Sequence, residues 1–530
     1  MTVRYDPDGV YAVLADLDAP CYIVRHGDRI GATSEPPAAN GPLTLLAAAG
    51  PMPAAQLGES GFRRRHGVAH AYLAGSMATG IASEELVAAL ARAGFLASYG
   101  AAGLPPERVE RALKRLAREI PGLPCAANLI HTPHAPHLER AVVDLYLSHR
   151  LRCVEASAFV QLTPDLVRYR VAGLRRDPGG GAYAENRIIA KVSRAEVAEL
   201  FLRPAPEPMV RALLDRGEVT AEQATLARLV PMADDLTVEA DSAGHTDRRP
   251  LVTALPAMLR LRDRIARESG RELGRASGRA APVRVGAAGG IGTPEAVQAA
   301  FGLGAAYVVT GSVNQACLEA GTSPAVKALL AAAGPADYAM APAADMFEGG
   351  VEVQVLTRGS LLAGRARLLY QLYRTHPGLD ELPAADRRRL ETKFFRRPLA
   401  DVWRETADYL AEHHPEQLLR AELDPRHRMA MVFRWYLGQS SRWAVTGDAE
   451  RAVDHQVWCG PAMGAFNDWA AGSVLADPGG RRVADVAHHL LRGAAFHRRL
   501  AHLRYSGVRL PASYAAYRLP PAPSPVPVAP

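Results

Sequence analysis

At 530 residues the chain has room for one large domain with an appendage, or for two or three ordinary domains. Its 48% hydrophobic and 22% charged content is that of an ordinary globular protein with a large core. The net charge of +7, from 62 basic and 55 acidic residues, is modest for this length; no recognised binding motif accompanies it, so nucleic acid is disfavoured as a partner.

Residues 1–64 are proline-rich and expected to be irregular, with a hairpin in "CYIVRHGDRIGATS" turning at Gly27-Asp28. The opening "MTVRYDPDGVYAV" carries acidic residues where a signal peptide needs an apolar run. The uncharged stretch Gly41 to Leu57 is broken by proline and glycine and is not a membrane helix. Five cysteines, far apart and without C-x-x-C spacing, argue for reduced thiols in a cytoplasmic protein and against a disulfide framework or thiolate zinc site.

From about residue 65, short β-rich runs alternate with amphipathic segments. Strands are expected at 68–74, 95–100, 125–130, 153–158, 187–193, 235–241, 283–288 and 306–311, each followed by a helical pattern. Eight such repeats are the arithmetic of a closed (β/α)₈ TIM barrel over residues 65–350. A helical insert at about 195–232 and a loop, helix and basic link at 242–282 follow the fifth and sixth strands, where inserts are expected to sit over the barrel mouth. All five tryptophans fall after residue 350, in aromatic-studded helical patterns, so residues 351–515 are expected to form a C-terminal helical domain. The proline-rich tail, 516–530, is expected to be disordered.

Polar groups collect at the C-terminal ends of the strands, the face where barrel active sites form. After strand 7, "GAAGGIGTPEAV" offers Gly289 and Gly290 before a helix; after strand 8, "TGSVNQ" offers Gly311 and Ser312. Two adjacent glycine-bearing loops make a phosphate grip. Strand 1 leads into "SMATGIAS", whose small residues allow backbone contact with a flat cofactor. Strand 3 ends at Asn128, suited to a heterocycle's edge. Strand 5 closes with Lys191, which at the inner end of an apolar strand needs an anion or a ligand. Strand 6 runs into "EADSAGHTDRRP", with Asp241 and with His245 able to change protonation near neutral pH. His131, His134 and His137 recur every three residues, but Pro133 and Pro136 oppose a single helical face, so a polar loop is expected there and no metal site. These residues leave open whose phosphate is bound.

"ANLIHTP", "VEASAFVQLTPDLVRYRVAGL", "IIAKVSR", "EADSAGHTDRRP", "GAAGGIGTPEAV", "TGSVNQACLEAGTS", "DMFEGGVEVQVLTRG" and "WCGPAMGAFNDW" together resemble the PfaD-type enoyl reductases, trans-acting flavoproteins of polyunsaturated fatty acid and trans-acyltransferase polyketide synthases, related to nitronate monooxygenase. The resemblance covers about residues 65–505. It implies FMN in the barrel mouth, NADPH as reductant, and an enoyl thioester on an acyl carrier protein as substrate. By the same resemblance Met77, Ala78, Asn128, Lys191, Asp241, Gly289, Gly290, Gly311 and Ser312 contact the cofactor, and Lys191 and His245 are the catalytic residues. A nitronate monooxygenase-like FMN oxidase is the alternative. Carrier-protein domains of a synthase are the implied partners, without a membrane, and a homodimer is compatible with the resemblance. Against the expected "DSGGHTDNRP", Ala243 replaces a glycine and Arg248 an asparagine; Ala243 is expected to forbid an easy positive φ.

Overall fold

The computed structural model describes residues 2–133, 135–179, 181–270 and 282–522. Eight parallel strands close into a barrel: β1 (Tyr72–Ala74), β2 (Leu96–Tyr99), β3 (Ala126–Ile130), β4 (Cys153–Ser157), β5 (Arg187–Val192), β6 (Asp235–Glu239), β7 (Arg284–Ala288) and β8 (Val308–Thr310). Each pairs with its neighbours in sequence, and β8 closes on β1 through Val308↔Tyr72 to Thr310↔Ala74. All eight expected strands are present, because strands buried on both faces read as continuous apolar runs. Inward positions alternate along each strand. Leu73, Leu96, Ala126, Cys153, Ile189 and Val309 form one buried cluster with Tyr307 and Phe62.

Phe62 comes from the helix Ser60–His66, which plugs the N-terminal end of the barrel. Its ring stacks on Tyr307 with centroids 4.3 Å apart. His66, fully buried on the same helix, lies 2.7 Å from Asp235, and Arg284 pairs with the same carboxylate at 2.7 and 2.8 Å. Cys153 Sγ lies 3.9 Å from the other nitrogen of His66, so Cys153, His66 and Asp235 line up as a nucleophile, base and acid would. The alignment is structural: the thiol is fully buried, and burial pushes its pKa up to about 12.

Two expectations are corrected here. The N-terminal segment is ordered: a helix, Pro7–Ala15, precedes a three-stranded antiparallel sheet of Arg29–Thr33, Cys21–His26 and Thr44–Ala49. The hairpin turns at Gly27, φ +56°, and Asp28 as expected. The insert after β5 lies at the N-terminal end of the barrel, away from the mouth. The barrel's own helix, Ala195–Leu202, comes first and carries the chain back down, so the helices Glu207–Asp215 and Ala221–Leu226 form at the lower end. Gln223 there donates to the Ala172 carbonyl, at the C-terminus of the helix after β4, and Glu222 pairs with Arg176 of the hairpin that precedes β5.

The described chain divides into two compact units. One holds the residues up to Ala240, Arg249–Ala320 and those from Trp469 onward; the other holds Asp241–Arg248 and Gly321–Asp468. The last long helix, Val483–Tyr505, expected in the C-terminal domain, therefore belongs with the barrel. The physical reason is Arg499. Its buried guanidinium donates to the carbonyls of Leu14, Asp16, Ala19 and Gly50 at 2.6–3.2 Å, tying the helix to the N-terminal segment. Residues 516–522 of the expected tail include backbone bonds between Val474 and Pro520 and between Ala522 and Gly472; 523–530 lie outside the described residues. The second unit packs helices such as Leu362–Thr375, Leu399–His413 and Pro425–Thr446 around Phe347, Phe394, Phe433 and Tyr436. Trp403, Trp435, Trp443 and Trp458 lie against that core. Among the described residues, no helix is long and apolar enough to cross a membrane.

Arg499→Met is expected to cost about 3 kcal/mol or more, because several carbonyls lose a charged donor in a buried place. Chemical denaturation would show it as a lower midpoint. A second prediction concerns pH. Burial, with the nearby charges of His488 and Arg63 adding to it, lowers the pKa of His70 to about 4. The unfolded chain thus binds the proton first, and stability falls as pH drops below the unfolded value of about 6.5. His70→Gln should flatten the decline between pH 7 and 5 by about 1 kcal/mol.

Candidate functional site

At the C-terminal end of the barrel the interior changes from apolar to charged. Lys191 on β5 reaches Glu239 on β6, Nζ to Oε1 2.9 Å. Burial alone would lower the lysine pKa, but Glu239 and Glu155 outweigh it and raise it, so the ammonium stays charged at neutral pH. The counter-ion that an inward lysine requires is thus built into the protein. Neighbouring β4 contributes Glu155, fully buried. Its Oε2 accepts from the Ser76 backbone N–H at 2.7 Å, while Oε1 is buried without a hydrogen-bond partner. Ser98 Oγ on β2 is likewise buried and unpartnered.

Asn128 on β3 is in register with Glu155. Its amide nitrogen donates to the Glu155 carbonyl at 3.1 Å and to Ser157 Oγ at 3.0 Å. Its hydrogens are committed to the protein, and its carbonyl is the group left to meet a ligand. Met77 and Ala78 lie in the loop after β1, folded tightly against the end of β2. The Met77 carbonyl accepts from Ala82, and Gly80 donates to Gly100. A side chain at Gly100 would begin 1.8 Å from the Met77 oxygen, so glycine there is what lets the loop lie flat.

The glycine cluster separates into two roles. Gly286 makes room for Tyr307, whose ring a Cβ would meet at 2.4 Å. Gly289 and Gly290, at φ +90° and +70°, make the turn itself. The helix Pro294–Gly302 follows, capped by Thr293 Oγ1 on the Ala296 N–H at 3.3 Å. Gly311 precedes the short helix Ser312–Gln315 with open space where its Cβ would be.

In the second unit Gly244–His245 form a short strand paired antiparallel with Glu352–Leu356. His245 Nε2 lies 3.2 Å from Asp345 Oδ1, and both side chains are more than half exposed. Burial raises the pKa of Asp345, but the bond and charge of His245 outweigh it and bring it below the usual value. Asp241 accepts from Gln354 Nε2 at 3.1 Å. His131 lies 3.3 Å from Glu139 and stacks on Phe159; His134 lies outside the described residues. Among the described residues, no three His, Cys, Asp or Glu side chains gather as metal ligands would.

Residues 1–51 match the N-terminal domain of fatty acid synthase subunit PfaD, and residues 376–455 match the inserted helical domain of [acyl-carrier-protein] S-malonyltransferase. One of the polyunsaturated fatty acid synthase subunits of Thraustochytrium sp. is 46% identical over 93% of this chain and 32% of its own length. The polyketide biosynthesis protein PksE of Bacillus subtilis is 44% identical over 83% of this chain and 56% of its own length. The chain thus spans between a third and somewhat over half of these relatives. The crystal structure of the enoyl reductase domain of MlnA, from the macrolactin biosynthesis cluster of Bacillus amyloliquefaciens, matches over its whole length with 36% identity and a TM-score of 0.79. The chain belongs to the PfaD-type enoyl reductase family.

Within the PfaD-type pattern, the departure at Ala243 costs nothing: Ala243 does not have a positive φ, and its neighbour Gly244 takes φ +76°. The departure with a consequence is Arg248, at φ +52°, where the expected asparagine would be more at ease. The residue that the sequence reasoning missed is Glu155. Its signal is a lone carboxylate in an otherwise apolar run, "CVEASA", on a strand with both faces covered. Asp345 has no signal of its own in the sequence beyond its place in "DMFEGG".

Arg248→Asn is expected to stabilise the protein by about 0.5–1 kcal/mol, read as a rise in melting temperature. Gly290→Ala meets no atom within 4 Å, so its expected cost of about 1 kcal/mol is conformational.

Proposed function

We propose that this chain is an FMN-dependent enoyl reductase that uses NADPH to saturate the α,β-double bond of enoyl thioesters on acyl carrier protein. The observation that most supports the reading is the charged layer inside the barrel: Lys191 held protonated by Glu239, with the Glu155 carboxylate of the neighbouring strand acting on the same ammonium. That donor and acceptor set suits the polar edge of a flavin ring. The names of the relatives, a fatty acid synthase component and an enoyl reductase domain, support the substrate class.

FMN, when bound, would supply hydride transfer from NADPH to the β-carbon, which no side chain here can perform. The chain's own residues would do the rest. Gly289, Gly290, Gly311 and Ser312 would present N–H groups to the phosphate. Met77 and Ala78 would pack beside the ring, with the Asn128 carbonyl at its edge. Lys191 would place positive charge where the reduced cofactor gains negative charge. Asp241, which accepts from Gln354, would contact the cofactor by the same reading. His245, oriented by Asp345, would polarise the thioester carbonyl or deliver the α-proton.

The test is anaerobic. NADPH should bleach the bound flavin, and a crotonyl thioester on carrier protein should restore its colour. Restoration only by oxygen with a nitroalkane would favour the oxidase reading and overturn this one. His245→Ala is expected to retain FMN and lower turnover by about 10²-fold; loss of FMN in that variant would make the histidine structural.

A further inference from the structure

We infer that the exposed cationic face of residues 387–397 is the docking surface for the acidic face of a carrier-protein domain. The inference rests on the carrier-bound substrate proposed above.

Six of these eleven residues are Arg or Lys, and one, Glu391, is acidic. Glu391 is turned away: it accepts from the Leu399 N–H at 3.0 Å, at the start of the helix Leu399–His413. The two ends of the run are paired, Arg387 with Asp380 at 3.1 Å and Arg397 with Glu405 at 2.6 Å. Between them Arg388, Arg389 and Lys393 are exposed and form no ion pair among the described residues.

The backbone beneath these cations is fixed. It passes through a π-helix, Leu390–Phe394, in which the Phe395 N–H donates to the Leu390 carbonyl at 2.9 Å. Leu390, Phe394 and Phe395 are buried in the core of the second unit. Arg451 donates to the carbonyls of Phe394 and Phe395 at 2.5 and 2.9 Å, and to the buried carboxylate of Asp454 at 3.2 Å. Arg396, at φ +56°, lies 3.7 Å from the same carboxylate. π-Turns are rare and recur at functional sites, and left-handed backbone at a residue other than glycine carries a cost. A surface that only faces water needs neither. The same core includes Val353 and Val355 of the strand that pairs with Gly244–His245, so the cationic face and His245 are borne by one packed body.

Charge complementarity selects the occupant. Unpaired cations on a fixed surface attract an anionic partner and speed its encounter, an effect that salt screens. An acidic carrier domain meets that need, and its phosphopantetheine arm adds a phosphodiester at the point of attachment.

The experiment compares wild type with the triple variant Arg388→Glu, Arg389→Glu, Lys393→Glu. Each is given a crotonyl thioester on an acidic carrier domain and, separately, on free pantetheine, which has no phosphate. The variant should raise the KM of the carrier substrate at least about tenfold. Its kcat, its KM for crotonyl-pantetheine and its KM for NADPH should stay as in wild type. In wild type the carrier KM should also rise between about 0.05 and 0.5 M salt, and the variant should lose that rise. An unchanged carrier KM in the variant would overturn the inference. So would an equal loss with both thioesters, or a raised KM for NADPH alone, which would assign the face to the reductant. If the triple variant does not fold, Arg388→Gln, Arg389→Gln, Lys393→Gln decides, with a smaller rise in the same direction expected. Wild type that reduces crotonyl-pantetheine but not the carrier thioester would overturn the carrier reading and this inference with it. Wild type that reduces neither would overturn the reductase reading beneath both.

Discussion

A charge inside a closed barrel must have a partner. Moving an ion out of water costs several kcal/mol even after relaxation, and only a nearby opposite charge with good hydrogen bonds offsets it. Much of this structure follows from that constraint. At the N-terminal end Asp235 is held by His66 and Arg284, and Asp234 by Arg65 and Arg170. These groups pair with one another, and the Phe62 ring packs against that of His66 with centroids 4.6 Å apart. At the C-terminal end the pairing is incomplete. Lys191 has Glu239, but Glu155 keeps one oxygen without a partner. The two ends thus differ: the charges of the lower end are paired with one another, and the upper end keeps one buried carboxylate oxygen without a hydrogen-bond partner.

The same contrast governs the side chains that look chemical without being so. Cys153, His66 and Asp235 have the order of a catalytic triad, yet they lie in the closed end with a thiol that burial keeps protonated. Lys191 and Glu155 have no sequence motif of comparable fame, yet they occupy the open end. Position in the barrel, rather than residue type, makes the distinction.

The barrel was legible because its strands are buried on both faces, so "RIIAKVS" and "VRVGAA" read as continuous apolar runs. The lysine was legible for the same reason: it interrupts such a run at its end. Glu155 interrupts one too, but a carboxylate in mid-strand reads equally well as an outward residue until the closed barrel removes the outside. The place of the insert after β5 depended on whether Ala195–Leu202 was part of it or was the barrel's own helix, a matter of packing that periodicity does not encode. The return of Val483–Tyr505 to the barrel depended on Arg499 meeting backbone carbonyls more than 440 residues away, which have no side-chain signature at all. The "SAGH" loop shows the limit of comparing patterns by eye: the substituted glycine position needed no positive φ, and the substituted asparagine position did.

The central claim is that the charged layer of this barrel seats a cofactor used to reduce a carrier-bound double bond. Intact-protein mass spectrometry of a crotonyl-loaded carrier protein, after incubation with the enzyme, FMN and NADPH under nitrogen in deuterated water, tests it most directly. The account predicts conversion to the butyryl form, with the hydrogen at the α-carbon drawn from solvent as deuterium. A crotonyl chain that stays unchanged while the flavin is fully reduced would contradict it.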